Sequence, residues 1–218
     1  MIEEMLINLS IVLGVILVSM TLHEAMHGFV AYWLGDDTAK LQGRLTLNPV
    51  KHIDPFLTIL LPIMLFIVGA PVFGGAKPVP FNPMRVRYEE WGAALVALSG
   101  PFTNLIIAFV VFGIGSVLGY NLTDFRSGSL FETALTYGVI INLGFFVFNM
   151  IPIPPLDGSR VLYALAPEFV RRGMELIEQY GLLVVFAVVL LASSTIGSFM
   201  LLAIQAILDV FAQIFIIG

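Results

Sequence analysis

Apolar residues in this chain do not alternate and do not recur on one helical face; they run. A bilayer crossing takes about 20 mostly apolar residues. Six stretches reach or approach that length: 6–33, 55–73, 93–118, 132–153, 177–193 and 196–217. Polar loops separate them at 34–54, 74–92 and 154–176, with shorter connections at 119–131 and 194–195. The pattern predicts an all-α polytopic membrane protein of five to six apolar helices. It forms one integral-membrane domain over residues 1–218, with a core at 6–160 and accessory C-terminal helices at 177–217. Two loops carry further signals. Leu41-Gln42-Gly43-Arg44-Leu45-Thr46-Leu47 alternates apolar and polar around a glycine, which predicts a short strand or β-hairpin near 41–50. Pro78, Pro80 and Pro83 keep 74–92 out of a helix and extended.

The second stretch need not cross. Pro62, Gly69 and Pro71 interrupt 55–73, and such a segment can dip in and return where protein covers its backbone. The distribution of Lys and Arg discriminates. If all six stretches cross, Lys40, Arg44, Lys51 and Arg126 stand against Lys77, Arg85, Arg87, Arg160, Arg171 and Arg172, with no bias. If 55–73 is re-entrant, only Arg126 falls opposite the other nine. The charge count therefore favours five crossings, with the N-terminus outside and the C-terminus inside.

Composition agrees. The chain is 59% hydrophobic and 11% charged, against about half and about a quarter in soluble domains. A net charge of −5 with ten Lys and Arg excludes a nucleic-acid partner, which needs a concentrated basic footprint. The partner is the lipid bilayer, and the location a cell membrane as a multi-pass protein. No cysteine is present, so there is no disulfide, thiolate site or cysteine nucleophile. Glu3 and Glu4 stand where a signal peptide has its basic region, and no small-residue cleavage site follows, so 6–33 reads as a retained helix.

Chemistry enters with His23-Glu24-Ala25-Met26-His27 inside the first apolar stretch. Histidines four apart share a helical face and can reach one metal, with the intervening glutamate placed as general base. Zinc takes such nitrogen ligands, keeps one catalytic position open for water, and lowers that water's pKa to about 7. The alternative is a pair of histidines satisfied by neighbouring helices. Ionisable groups inside membrane helices are costly and functional by default, which disfavours it. A third ligand is required. Candidates are His52 and the remaining acids. Among these Asp157 stands out, because Asn149-Met150-Ile151-Pro152-Ile153-Pro154-Pro155-Leu156-Asp157-Gly158 ends an apolar helix on irregular backbone. An ordinary loop aspartate is its plain alternative.

These residues resemble the site-2 protease family of intramembrane zinc metalloproteases. Residues 23–27 and 149–158 match its two signatures. G-R-L-T-L-N-P at 43–49, H-I-D-P at 52–55, A-K-P-V-P-F-N-P at 76–83 and S-G-P-F-T-N at 99–104 match further. The resemblance implies one Zn2+ per chain on His23, His27 and Asp157, Glu24 as catalytic acid/base, and Asn104 as a substrate contact. It implies a transmembrane protein as substrate, cleaved within its membrane segment. Without PDZ or CBS domains or a helix before the first signature, the chain is similar to the compact prokaryotic form. Both signatures lie toward the ends of their helices, so the two helices must run the same way, which needs an odd number of crossings between them. An unwound substrate could pair with a strand edge near 41–47.

Other residues have plainer readings. His52 is a partner to the metal ligands, a transient proton carrier or a structural loop residue, and Lys51 and Asp54 beside it favour the last, in a solvated loop. Gln205, Asp209 and Gln213 form a polar stripe on the last helix, read as a packing seam or a homodimer seam. Gly113, Gly115 and Gly119 permit close helix approach. Two other functions compete: a metal-ion transporter or channel, which predicts more ligands strung along the bundle, and a catalytically silent membrane scaffold, against which the intact Glu24 argues.

Overall fold

The computed structural model describes residues 2–67, 75–122, 129–191 and 193–216. Helix α1 spans Ile2–Trp33, and short α2 spans Thr38–Leu41. A π-helical segment at Pro55–Leu60 leads into α3, Leu61–Ile67. Then come α4, Glu89–Val117, α5, Leu130–Asn149, α6, Gly158–Leu165, α7, Glu168–Glu178, α8, Gly181–Leu191, and α9, Ser193–Ile216. Four of these, α1, α4, α5 and α9, are long and apolar enough to cross a membrane.

Local chemistry starts and stops these helices. Ser129 caps α5, its hydroxyl accepting from the Glu132 N–H at 3.2 Å. That is one half of a capping box. Asp54 caps the π-helical segment by accepting from Phe56 and Leu57 N–H at 3.0 and 2.9 Å. Inside α1 the hydroxyls of Ser10 and Thr21 turn back onto the Leu6 and Leu17 carbonyls. No donor of theirs is left unpaired in hydrocarbon.

Three expectations are corrected. Among the described residues there is no strand, and 41–50 holds no hairpin. Gly43, at φ +65°, ends α2: its N–H and that of Arg44 bond back to the Lys40 and Ala39 carbonyls. The turn is spent on a helix cap, and the alternating residues behind it find no partner strand. The side chain of Arg44 instead donates to the carbonyls of Lys77 and Pro78 at 2.8 and 3.3 Å.

The second correction concerns 177–193, which is not one long helix. It breaks between α7 and α8, and the 11 residues of α8 reach only about 16 Å, half the hydrocarbon thickness. The third follows from it: the last helix runs opposite to the expected direction. Arg171, on α7, lies 3.9 Å from Glu90 at the N-terminal end of α4. Phe211 and Phe215, late in α9, stack on Phe109 and Phe112 toward the other end of α4, with ring centroids 5.0–6.0 Å apart. Helix α8 is too short to carry the chain across first, so α9 itself climbs from one end to the other, parallel to α4. Among the described residues only these four helices have the length and apolarity of a span, and the C-terminal end of α9 lies at the same end of the bundle as the N-terminal end of α1.

At that end lies the largest apolar core among the described residues, where Phe112, Leu122, Val139, Leu143, Leu208 and Phe211 bury one another. Gly113 permits the approach, since a Cβ there would stand 2.7 Å from the Phe215 ring. Gly115 likewise faces Leu122. The polar stripe of α9 points away. Gln205, Asp209 and Gln213 are exposed, with Gln205 donating to Asp209 at 2.8 Å. It is therefore not a packing seam within the chain.

Gly75 lies beside the start of the π-helical segment. The Gly75 N–H bonds the Leu57 carbonyl at 3.0 Å, and the Thr58 hydroxyl bonds the Gly75 carbonyl at 2.7 Å. Residues 68–74, the remainder of the stretch expected to dip, lie outside the described residues. Residues 75–82 then run extended as the prolines require, across the site-bearing end of α1.

Candidate active site

Helix α1 brings His23 and His27 to one face, one turn apart, with ring centroids 4.7 Å apart. The loop after α5 brings Asp157. It is a tight loop, and Gly158 makes it so: a Cβ there would stand 2.4 Å from the Met150 carbonyl oxygen. Asp157 Oδ2 lies 3.2 Å from His23 Nε2, and Asp157 Oδ1 lies 3.5 Å from His27 Nε2. Burial alone would raise the Asp157 pKa. The adjacent imidazoles outweigh it and hold the carboxyl well below the usual carboxylate range.

Helix α4 supplies the floor and the orientation. A Cβ on Gly100 would stand 2.5 Å from His27 Nε2 and 2.6 Å from His23 Nε2, so the hollow between the imidazoles exists because residue 100 has no side chain. His27 Nδ1 lies 2.8 Å from the Val96 carbonyl. His23 Nδ1 lies 2.6 Å from Asn104 Oδ1. Oxygen can only accept, so both Nδ1 atoms carry protons, and it is the Nε2 atoms, turned to the hollow and to Asp157, that are left to ligate a metal once deprotonated.

The arrangement fits a tetrahedral metal. Ligand atoms about 2.0–2.1 Å from one such ion stand about 3.3 Å from each other. The Nε2–carboxylate separations, 3.2 Å to Oδ2 and 3.5 Å to Oδ1, are of that order. The ligating atoms of His23, Glu24 and His27 also lie within 4.8 Å of one another. Glu24, however, is engaged elsewhere: its Oε2 accepts from the Val79 N–H at 2.8 Å. Asp157 is thus open to serve as a third ligand, with Glu24 beside it. Among the described residues no second group of this kind lies along the bundle.

The site opens into a cavity of about 250 Å³, walled by His23, Glu24, His27 and Asp157 together with Val79 and Arg160. Asn149 lines it as well. Arg160 bonds Glu178 of α7. Neither Asn149 nor Arg160 stands out in the sequence as a site residue, although both sit within or beside the second signature. Asn104 is fully buried, bonded to His23 Nδ1, behind His23 rather than on the cavity wall. His52 is structural, yet it is not solvated. It is 1% exposed, its Nε2 meets the Thr46 carbonyl at 2.8 Å, and its own carbonyl accepts from Lys77 N–H at 2.9 Å. With Arg44 it pins the extended 75–82 segment beside Glu24.

Comparison with known proteins bears on this geometry. The family model for peptidase family M50 matches residues 124–193, the part that carries Asp157. A protein of Bacillus subtilis (strain 168), provisionally named zinc metalloprotease YwhC, is 40% identical over 209 residues, 92% of this chain and 90% of its own. Rip2 of Mycolicibacterium smegmatis, named in the same way, is 32% identical over 78% of this chain and 62% of its own. A third so named, from Methanocaldococcus jannaschii, is 43% identical over 48% of this chain and 50% of its own. No solved structure matches significantly. An identity of 40% held over nine-tenths of both chains extends far beyond two shared signatures, and on that ground the chain belongs to peptidase family M50, the site-2 protease family.

Proposed function

We propose that this integral membrane protein is a zinc endopeptidase that cleaves the membrane segment of another protein. The observation that carries the reading is the convergence of two imidazole Nε2 atoms on the Asp157 carboxylate, with a second carboxylate alongside. His23, His27 and Asp157 would hold one zinc. When bound, the ion activates water and polarises the scissile carbonyl. Glu24 takes the proton that water loses and returns it to the departing amine. The Val79 N–H occupies one carboxylate oxygen of Glu24 and leaves the other free for that proton.

The depth of the site supports cleavage within the membrane. His27 and His23 lie six and ten residues before the end of α1 at Trp33, about 9 and 15 Å along the axis. Residues 41–47 form no strand edge. The extended backbone nearest the site is 75–82.

The same reading includes a topology: a re-entrant 55–73, four crossings, and the site-bearing end in the cytoplasm of a cell. Nine of the ten Lys and Arg, all but Arg126, belong to that end, as the positive-inside rule requires. The α9 stripe is then the surface available for a second copy of the chain.

Glu24→Gln tests the enzyme reading. Zinc content should stay at one per chain, and cleavage of a membrane substrate in liposomes should fall at least about 10²–10⁴-fold. Cleavage at the wild-type rate would end the proposal. Bound zinc without any cleavage dependent on Glu24 would favour a metal transporter or a silent scaffold.

A further inference from the structure

The two histidines are oriented by different kinds of group, and the difference has a consequence. His27 Nδ1 faces a backbone carbonyl, Val96 O, at 2.8 Å, which can accept and do nothing else. His23 Nδ1 faces a side-chain amide, Asn104, at 2.6 Å. An amide has two ends of opposite character and nearly the same shape. With Oδ1 toward the ring, His23 holds its proton on Nδ1 and offers the Nε2 lone pair to a metal. With the amide reversed, Nδ2 would donate to Nδ1, the proton would sit on Nε2, and that atom could not ligate.

Asn142 of α5 decides between them. Its Oδ1 accepts from Asn104 Nδ2 at 2.8 Å. Its own Nδ2 donates twice, to the Ser19 hydroxyl at 2.9 Å and to the Gly138 carbonyl at 2.7 Å. The chain of bonds thus ends on a backbone carbonyl, which fixes its direction throughout. Gly138 O sets the Asn142 amide, Asn142 sets the Asn104 amide, and Asn104 sets the His23 tautomer. All the side chains are buried: Ser19, His23, Asn104 and Asn142 are at most 3% exposed, so water offers no alternative partner. Ser19 and His23 lie one turn apart on α1, and the circuit closes through α5 and α4.

We infer that Asn142 is a positioning residue for the metal site: it acts through Asn104 to hold His23 in the tautomer that ligates. This rests on the metalloprotease reading. Outer partners of ligating histidines typically affect metal affinity about 10–100-fold.

The test uses the full-length protein in detergent, with zinc as the probe. In metal-free wild type, 15N spectra of the histidine rings, assigned with His23→Gln, should show His23 protonated at Nδ1. In Asn142→Leu the ring should become a mixture of tautomers, and zinc should bind about 10–100-fold more weakly. Asn104→Leu should weaken zinc to a similar degree. Adding Asn142→Leu to Asn104→Leu should then change nothing more, because Asn142 has no route to His23 without Asn104. Unchanged affinity in Asn142→Leu would overturn the inference. So would additive losses in the double variant, which a general packing role produces. If Asn142→Leu does not fold, the wild-type spectrum still decides, since a neutral His23 ring protonated on Nε2 instead of Nδ1 defeats the scheme. Wild type that binds no zinc would refute the metalloprotease reading, and the tautomer measurement would remain independent of it.

Discussion

Single residues at this site are constrained by space as much as by chemistry. Gly100 is the clearest case. A methyl group there would fall within 2.6 Å of both ligating nitrogens, so Gly100→Ala should abolish zinc binding while the protein still folds and inserts. Gly144 is the control: it has nothing within 4 Å of a Cβ, and Gly144→Ala should leave zinc affinity intact. Equilibrium zinc titration of both variants checks the pair. Asp157→Ala should also lose zinc sharply. Removing a carboxylate leaves two imidazoles, fewer than the three protein ligands a catalytic zinc requires. Retained zinc and activity in Asp157→Ala would shift the third ligand elsewhere. His52, held 1% exposed against the Thr46 carbonyl, is not positioned to take its place.

Among the elements, the extended 75–82 segment is placed by several small anchors. Arg44, His52 and Leu57 hold its backbone on one side and Glu24 on the other. Arg44→Ala frees the Lys77 and Pro78 carbonyls, and loosening the segment should misplace Glu24. Positioning errors near 1 Å can lower rates about 10²-fold. The expected outcome is a large fall in kcat with zinc content unchanged, read by parallel cleavage and metal assays. Helices α8 and α9 yield a second prediction. The chain has no cysteine, so single cysteines can be labelled with an impermeant reagent. Ser194, in the first turn of α9, should label from the same face as positions in 34–54 and 75–88. A position past the end of α9 should label from the opposite face, with the N-terminus. Labelling of both ends of α9 from one face would contradict the parallel packing of Phe211 and Phe215 on α4.

For the whole molecule, the apolar core and the metal site occupy different ends. The Phe112–Phe211 cluster buries its area without help from a metal, and the hydrogen-bonded circuit behind His23 is complete without one. Chelation should therefore stop cleavage without unfolding the protein. Zinc should still raise the thermal midpoint, because a ligand that binds only the folded state stabilises it by about 2.7 kcal/mol at 100 times its Kd. Thermal melts with chelator and with graded zinc measure this. Loss of helical signal on chelation alone would show that the metal holds the fold together.

Much of this protein is readable from residue order alone, because the relevant physics is local. Spans follow from runs of apolar residues, and a metal-binding pair follows from two histidines four apart on a helix. Asp157 can be picked out because prolines and Gly158 force irregular backbone around it. The extended 75–82 follows from its prolines. What the sequence leaves open depends on which elements meet. Residues 41–50 alternate like a strand, yet a strand needs a partner, and Gly43 is already committed to capping α2. The run 177–193 has the apolarity of a span, but its break and the packing of Phe211 and Phe215 are decided by contacts with α4. Asn104 carries a family motif, but only the bundle shows that it stands behind His23, with Asn142 behind it. Residues 19, 104 and 142 are far apart in sequence and become one circuit solely through helix packing. The sequence determines which groups can ligate; the tertiary structure decides which nitrogen of each imidazole is left free to do so, because that choice is made by hydrogen bonds between helices.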